Sequence, residues 1–365
     1  MLQVGIIGLP NVGKSTLFNA LTAAGASAEN YPFCTVDPNM GTVAVPDPRL
    51  ERIREITGAP AAIPATIRFM DIAGLVAGAS EGEGLGNRFL GQIREVDAVA
   101  HVLRCFEDPD VTHVMGSVDP LRDLKVVETE LALADLETLE RRMEKVEKKA
   151  RSGEKEAMGE KAALDRFFRV LSRGEPLRHL PLDPYETDLV RELSLLTAKP
   201  TLYVANLPEG VPAEESEELK FLRGAGLEER PNHGLVWIAS AIEAELALLE
   251  PEERALFLEE LQLSESGLDR VIQAAYRLLD LITFFTSNEK ETRAWTIRRG
   301  SRAPEAAGRI HTDFQRGFIR AETINYRELE ELGGLKVARE EGEIRSEGKD
   351  YEVQDGDLIL FRFNV

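Results

Sequence analysis

A nine-residue stretch near the start of the chain, GLPNVGKST from Gly8 to Thr16, matches the pattern G-x-x-x-x-G-K-[ST]. In this pattern backbone N–H groups surround phosphate oxygens, and glycines let the backbone approach them closely. Lys14 can reach the β- and γ-phosphates during transfer, and the Ser15 hydroxyl can ligate Mg²⁺. We therefore predict a triphosphate site, with Lys14 also catalytic, that is formed by Asn11, Val12, Gly13, Lys14, Ser15 and Thr16.

A single acidic residue, Asp71, ends the apolar run ATIRFMD and is followed three residues later by Gly74. A carboxylate at the end of a strand can hold a Mg²⁺-bound water, and a following glycine N–H can meet the γ-phosphate. We predict that Asp71 acts on magnesium through water and that Gly74 is a catalytic backbone donor.

Two loops have the composition of switch segments. Thr35, in YPFCTVDP, either supplies a second hydroxyl to Mg²⁺ when triphosphate is bound or is an ordinary loop threonine. The second loop, GLVAGASEGEGLGN from Gly74 to Asn87, is rich in glycine and other small residues. We expect this loop to be mobile, as a second switch requires.

The tetrapeptide NLPE, Asn206 to Glu209, stands where a GTP-binding protein carries Asn-Lys-x-Asp. The Asp of that motif accepts both hydrogen-bond donors of the guanine edge, a pair that adenine lacks. Leu207 replaces the lysine, and Glu209, one methylene longer, replaces the aspartate. A site without the bidentate acceptor loses its discrimination. We therefore predict that ATP binds at least as well as GTP, against Asn206, Leu207 and Glu209, with Ser240 and Ala241 beside the base.

The elements that must position these residues follow from the hydrophobic pattern. Short apolar runs alternate with helical patterns over the first hundred residues and again from PTLYVANLP onward. This alternation indicates an α/β fold with a mostly parallel sheet covered on both faces. Between the two parts, Leu131, Leu136 and Leu139 lie at helical spacing among charged residues. We predict an antiparallel helical pair that turns near Gly153, either a solvated arm with one apolar stripe or a dedicated binding surface.

The predicted domains follow from this reading. The nucleotide-binding domain is discontinuous, comprising residues 1–120 and 199–279, and the α-helical insertion comprises residues 121–198. Residues 280–365 contain short strand-like runs and a turn signal at Asp355-Gly356. They predict a small α+β domain.

Composition excludes several classes of protein. The chain has 365 residues, 43% of them hydrophobic, and a net charge of −20, which argues against broad attraction to nucleic acid and against a DNA partner. Two cysteines cannot form a disulfide framework, and MLQVGIIG resembles a buried strand rather than a signal peptide. No apolar run has the length of a membrane span. We expect a cytoplasmic protein that does not bind membranes.

Taken together, these motifs, the helical insertion and the C-terminal GRIHTDFQRGFIRAE and GDLILFRFNV resemble the Obg-like ATPase family over essentially the whole chain. The resemblance implies a P-loop GTPase-type fold that accepts ATP, a coiled-coil arm and a C-terminal TGS domain of β-grasp shape. It also implies the ribosome or ribosomal RNA as partner. The usual base motif of the family is Asn-x-x-Glu, which Asn206 and Glu209 satisfy.

The resemblance also implies two catalytic features. Many relatives place a Gln directly after Asp-x-x-Gly, but Leu75 stands there in this chain, and an apolar residue cannot orient water. His113, in EDPDVTHVMG, is the implied substitute, although a lone loop histidine is more often a surface residue. Asn11 stands where relatives stimulated by K⁺ hold that ion, so K⁺ is a second expected cofactor beside Mg²⁺.

A basic patch is the remaining candidate for contact with RNA. Between residues 293 and 320 arginines outnumber acidic residues, unlike the rest of the chain; they are Arg293, Arg298, Arg299, Arg302, Arg309, Arg316 and Arg320. Lys145, Lys148 and Lys149 on the helical arm can extend the patch, and ion pairing with the acidic remainder is the alternative. We predict an ATPase linked to the ribosome; a GTPase and a nucleotide-sensing scaffold without functional turnover are the alternatives.

Overall fold

The computed structural model describes residues 2–26, 39–73, 85–210, 216–227, 232–261, 263 and 265–364. By contacts between residues, the chain forms two units. The first comprises Met1–Gly41 and Arg68–Leu278, and the second comprises Thr42–Ile67 and Leu279–Val365. Within the described residues, no helix combines the length and the apolar character needed to cross a membrane.

The strands of the described residues form two sheets. They are β1 (Gln3–Ile7), β2 (Met40–Ala44), β3 (Ala62–Ile63), β4 (Thr66–Asp71), β5 (Ala98–Arg104), β6 (Thr201–Asn206), β7 (His233–Ile238), β8 (Leu281–Ser287), β9 (Thr292–Arg298), β10 (Phe318–Asn325), β11 (Arg345–Glu347) and β12 (Asp357–Phe363).

The helices of the described residues surround these sheets. They are α1 (Lys14–Ala26), α2 (Pro48–Thr57), α3 (Leu85–Glu95), α4 (Pro120–Arg151), α5 (Lys155–Leu171), α6 (Pro184–Glu192), α7 (Glu217–Gly224), α8 (Ser240–Leu246), α9 (Pro251–Glu260), α10 (Gly267–Leu278), α11 (Ala303–Ile310), α12 (Thr312–Arg316), α13 (Tyr326–Leu332) and α14 (Leu335–Glu341).

The first sheet has the strand order β2-β4-β1-β5-β6-β7, and the pairings from β4 to β7 are all parallel. Every residue of β5 and of β6 is buried, as expected for central strands covered on both faces. The predicted mostly parallel sheet is confirmed. Its strands end at one edge, and the site residues follow those ends.

Two long helices, α4 and α5, form the predicted pair. Asp119 accepts a hydrogen bond from the Arg122 N–H at 3.0 Å and Pro120 occupies the first turn, so the start of α4 is fixed by its cap. The turn passes through Gly153 with φ of +84°. Leu139 of α4 and Phe167 of α5 are fully buried in the cluster between the helices, so the apolar stripe is used for packing within the arm.

The second sheet has the order β11-β10-β12-β8-β9-β3. β8 and β9 form an antiparallel hairpin, β12 lies parallel to β8, and β10 is antiparallel to β12. Helix α11 packs its buried alanines, Ala303, Ala306 and Ala307, against Phe284 and Ile297. A mixed sheet with helices packed on it agrees with the α+β character expected for residues 280–365, and the TGS assignment of this domain stays a prediction.

The two units differ from the predicted domains most clearly at residues 42–67. Residues 42–67, expected in the nucleotide-binding domain, group with the C-terminal residues because β3 pairs in parallel with β9, Ala62 opposite Thr292. Thr57 adds side-chain hydrogen bonds to Thr292 and Ser287. A two-residue strand carries no hydrophobic period, so the sequence could not indicate which sheet it joins. The helical arm groups with the first unit.

Candidate functional site

The phosphate-binding loop lies between β1 and α1, as its motif requires. Gly8 has φ of +148°, and a Cβ there would stand 2.6 Å from the Val102 carbonyl oxygen. Gly13 has φ of +99°, and a Cβ there would overlap the Asn206 side-chain nitrogen. Both positions therefore require glycine, because any side chain meets backbone strain and a steric clash.

Lys14 begins α1 and is buried, with its Nζ donating to the Leu9 carbonyl at 2.7 Å. Burial lowers the pKa of Lys14 to about 8, although the nearby Asp71 carboxylate opposes that change. Ser15 and Thr16 are exposed at the start of the same helix. The Val12 side chain is buried, so only its backbone can contribute to the site.

Asp71 ends β4 beside the loop, and its Oδ2 accepts a hydrogen bond from the Ser15 Oγ at 3.4 Å. Its Oδ1 is buried and has no hydrogen-bond partner among the residues that the structure describes. Burial raises the pKa of Asp71, and Lys14 opposes that shift. A hydroxyl oxygen next to an unpaired carboxylate oxygen is the donor set that Mg²⁺ prefers, so these residues fit the predicted ion.

Asn206, at the end of β6, joins the loop to the base side of the site. Its Nδ2 donates to the Val12 carbonyl at 3.0 Å, and its Oδ1 accepts from the Ser240 N–H at 3.0 Å. Ser240 begins α8 and is buried, whereas Ala241 is exposed. The predicted residues of the two motifs are therefore brought together by one amide side chain.

Leu207 and Glu209 take different positions. Leu207 is 4% exposed and packs in an apolar cluster with Leu103, Leu124 and Tyr203, so little of its side chain can reach a base. Glu209 is exposed at the rim of the cleft. Only a small part of the Leu207 side chain is therefore accessible for the predicted contact with the base, because the side chain points into the core.

A cleft of about 540 Å³ connects these residues. Its lining includes predicted residues from both motifs and also Phe106, Glu107, Asp108 and Val111, which the sequence reading did not select. These four follow β5 directly, at the same sheet edge as the ends of β1 and β6. The sequence signal that could have indicated these residues is their position directly after a central parallel strand.

His113 lies outside the lining of this cleft. The His113 side chain is buried; its Nε2 is 2.7 Å from Asp123 Oδ2, and its Nδ1 accepts from the Met115 N–H at 3.0 Å. Because Nδ1 accepts, Nε2 carries the proton and donates to Asp123. The ring is therefore held at the start of α4 rather than beside the phosphates.

Asn11 has φ of +62°, and its Nδ2 donates to the Thr112 carbonyl at 3.0 Å. Its amide oxygen is the atom that can ligate a cation. The other two predicted residues of the triphosphate end, Thr35 and Gly74, lie outside the described residues.

The predicted basic patch is partly paired within the second unit. Arg293, Arg299, Arg302 and Arg320 form ion pairs with Glu291, Asp280, Asp350 and Glu322. No ion pair of Arg298, Arg309 or Arg316 is found among the described residues, and Arg309 donates to the Thr296 carbonyl. Lys145, Lys148 and Lys149 are exposed on α4.

Comparison with known proteins places the chain among close relatives. Residues 3–152 match the family MMR_HSR1, described as "50S ribosome-binding GTPase", and residues 281–364 match YchF-GTPase_C, described as "Protein of unknown function". The chain is 50% identical over 364 residues to the ribosome-binding ATPase YchF of Bacillus subtilis, covering 100% of both chains. It is 52% identical over 363 residues to the protein of that name from Escherichia coli O157:H7, covering 100% of this chain and 99% of the other. The structure of the Schizosaccharomyces pombe YchF GTPase superposes with a TM-score of 0.89 at 36% identity, covering 99% of this chain and 97% of that chain.

Proposed function

The chain belongs to the YchF family, as its sequence motifs indicated, and from this membership we propose that it is an ATPase that associates with the ribosome. Relatives at about half identity over the full length are named ribosome-binding ATPases. The observation that carries the proposal is the cleft lined by Lys14 and Ser15 of the phosphate-binding loop and by Asn206 and Glu209 of the base motif. Asp71 lies behind Ser15, whose hydroxyl donates to it.

The base end supports ATP. Glu209 is exposed at the rim, and no aspartate follows Asn206 at the spacing that reads guanine. Phe106 lines the cleft and provides apolar surface that does not distinguish the two purines. Since a pocket without a bidentate acceptor cannot strongly reject adenine, ATP binds at least as well as GTP.

Each residue at the phosphate end has a distinct task. On binding, the Lys14 ammonium leaves the Leu9 carbonyl and donates to oxygens of the β- and γ-phosphates. It then stabilises the negative charge that develops on ADP as the γ-phosphoryl group passes to water. The Ser15 hydroxyl and the Asp71 carboxylate would hold Mg²⁺, directly and through water. When bound, Mg²⁺ neutralises charge on the transferred group. Thr35 remains the proposed second hydroxyl ligand, and Gly74 the proposed backbone donor.

Two further parts of the mechanism belong to the proposal. The Asn11 amide oxygen can help hold K⁺ beside the phosphates. His113 orients the attacking water only after its ring leaves Asp123 and the Met115 N–H. Hydrolysis is therefore slow unless a rearrangement releases that ring.

The buried state of His113 favours a second candidate, a nucleotide-sensing scaffold whose turnover has no role. In it, binding alone would order the loops around the triphosphate. A GTPase would share the phosphate chemistry but requires the guanine contact that Glu209 does not offer.

The proposed ribosome contact uses the second unit, whose mixed sheet supports its interpretation as a TGS domain, together with the lysines of α4. Arg298 and Arg316 are exposed arginines of the patch for which no ion pair is found among the described residues. A cytoplasmic location follows from this partner.

The test of the nucleotide is direct. Dissociation constants of ATP and GTP are measured by calorimetry with Mg²⁺, for the wild type and for Glu209→Asp. We expect ATP to bind at least as tightly as GTP, and the shorter acid to move the ratio toward GTP. A tenfold preference of the wild type for GTP refutes the assignment. Leu207 is left unchanged because a charge there would be buried in the core.

The test of the partner is co-sedimentation with purified ribosomes, with and without a non-hydrolysable ATP analogue. We expect the bound fraction to change with the analogue. If the protein never sediments with ribosomes, the proposed partner is wrong even where ATP binding is confirmed.

A further inference from the structure

Arg104, the last residue of β5, has a fully buried side chain whose contacts none of the preceding roles uses. It is 1% exposed. Its Nε donates to the Phe106 carbonyl at 3.0 Å, its Nη1 to the Asn11 carbonyl at 3.2 Å and its Nη2 to the Val111 carbonyl at 2.8 Å. One guanidinium therefore connects the phosphate-binding loop with both ends of the segment 106–111.

This cation is held without a carboxylate. No ion pair of Arg104 is found in the described ranges, and its guanidinium donates there to neutral carbonyl oxygens. A buried charge without a counter-charge is costly, so a purely structural position would be better filled by an apolar residue. What only Arg supplies is a rigid planar fork that donates in several fixed directions at once.

Those directions lead to both ends of the nucleotide cleft. Asn11, of the phosphate-binding loop, lines the cleft together with Phe106 and Val111 of the segment that follows β5. The guanidinium carbon lies 4.5 Å from the centre of the Phe106 ring, so the charge also fixes the orientation of that ring. The Asn11 side chain adds a second link to the same segment through the Thr112 carbonyl.

We propose that Arg104 is a positioning residue that holds the phosphate-binding loop and the segment 106–111 at the separation that one nucleoside triphosphate requires. The proposal rests on the proposed function and deepens it. Arg104 touches neither end of the nucleotide. It fixes the distance between the residues that do.

Loss of the Arg104 contacts should affect two ligands differently, whereas a general loss of stability should affect both alike. Inorganic tripolyphosphate occupies only the phosphate end, whereas ATP must meet both ends together. If the distance between the two ends is no longer fixed, the affinity for ATP falls. The affinity for tripolyphosphate stays almost unchanged, because the phosphate end keeps its own residues.

The experiment uses Arg104→Lys in the full chain, with Mg²⁺, and calorimetry with ATP and with tripolyphosphate. Lysine keeps the charge but cannot donate to three carbonyls in a plane. We expect the dissociation constant of ATP to rise about tenfold, the equivalent of one lost charged hydrogen bond, and that of tripolyphosphate to change by less than about threefold. Equal losses for both ligands, or no loss for ATP, overturn the proposal.

Arg178→Lys is the matched control. Arg178 is a second buried arginine of the same unit; it donates to the Thr197 carbonyl and the Tyr203 hydroxyl and pairs with Glu128, away from the cleft lining. We expect this variant to lower the urea midpoint of unfolding and to change the affinities for ATP and tripolyphosphate by similar factors. If this variant also weakens ATP binding and spares tripolyphosphate binding, the difference between the two ligands does not report positioning, and the proposal fails.

Two further measurements complete the test. Arg104→Gln removes the buried charge and keeps an amide donor, so it provides a second variant; if neither variant folds, Arg104 serves the fold and the proposal is overturned. In a double-mutant cycle with Phe106→Leu, we expect the losses in ATP affinity to be less than additive, because both act on one ring position. Additive losses contradict the coupling. A wild type that binds no ATP contradicts the proposed function itself.

Discussion

A single amide side chain, Asn206, joins the two halves of the candidate site. It contacts the phosphate-binding loop through Val12 and the start of α8 through Ser240. Its nitrogen also fills the space that a side chain on Gly13 would need. At the scale of single residues, even one added methyl group at Gly13 is therefore expected to disturb the site.

Gly13→Ala tests this sensitivity. The added methyl group meets Asn206 and the backbone has φ of +99°, so we expect a destabilisation of about 3 kcal/mol and loss of measurable ATP binding. Urea unfolding and calorimetry measure the two effects. Gly116→Ala is the control, since φ there is +81° but a Cβ meets no atom within 4 Å; it should cost about 1 kcal/mol and leave binding intact. Equal effects of the two substitutions would refute the role of Asn206.

Lys14 predicts a pH dependence of nucleotide affinity. Burial lowers its pKa to about 8, so the free protein loses this positive charge as the pH rises through that value. Phosphates bind the charged form, which means that binding takes up a proton above pH 8. We expect the ATP dissociation constant to rise up to about tenfold per pH unit from 8 to 10. Calorimetry in buffers of different ionisation enthalpy detects the proton that is taken up on binding. An ATP dissociation constant that does not change between pH 8 and 10 contradicts the lowered pKa of Lys14.

His113 and Asp123 predict opposite effects on hydrolysis. Asp123→Asn weakens the charge-assisted hydrogen bond that holds the ring, so we expect more released histidine and turnover up to about tenfold faster. His113→Ala should slow turnover and spare ATP binding. Single-turnover phosphate release measures both. If Asp123→Asn is slowed as much as His113→Ala, the pair works as a unit and the release mechanism is wrong.

At the scale of elements, one buried carboxylate fixes helix α4 to the end of the helical insertion, just before β6. Asp135 of α4 is fully buried and accepts hydrogen bonds from the Leu196 N–H at 2.8 Å, the Thr197 N–H at 2.8 Å and the Thr197 hydroxyl at 2.7 Å, just before β6. Burial raises its pKa, and these donors oppose the shift. Helix α4 is thus fixed by a polar side chain that the helical spacing of the leucines does not reveal.

Asp135→Ala is expected to lower the free energy of unfolding by about 3 kcal/mol, because it leaves three buried donors without an acceptor. Urea denaturation measures the change. Asp188→Ala, an exposed acid of α6, serves for comparison and should stay within about 0.5 kcal/mol of the wild type. A small effect at Asp135 would mean that water replaces its contacts.

The sequence predicted these elements better than their contacts. Continuous apolar runs indicated β5 and β6, and the Gly153 turn was visible between two amphipathic patterns. The role of Arg104 was not visible, because its partners are backbone carbonyls, which any residue provides. The burial of Leu207 was missed for a related reason: a motif fixes spacing along the chain but not which way a side chain turns.

At the scale of the whole molecule, an acidic protein must meet an anionic partner. The net charge of −20 opposes contact with RNA except through local cations. Several arginines of the second unit already pair with neighbouring acids, but exposed pairs are weak enough to exchange partners.

Replacing Arg298 and Arg316 together by Glu is therefore expected to reduce co-sedimentation with ribosomes about tenfold at 0.1 M salt, with a shallower dependence of affinity on salt. Lys336→Glu with Arg339→Glu, on α14 of the same unit, makes the same change of charge outside the patch. Similar losses in both doubles would indicate a general effect of net charge, and no loss in either would remove the patch from the interface.

The strand β3 has a consequence for synthesis. Residues 42–67 leave the ribosome early, whereas their partners in the second sheet begin at Leu279. At elongation rates of about 5 to 20 residues per second, β3 waits roughly 10 to 50 seconds for β9 to emerge. Because β12 lies between β10 and β8 in this sheet, the sheet is complete only after that last strand has been made.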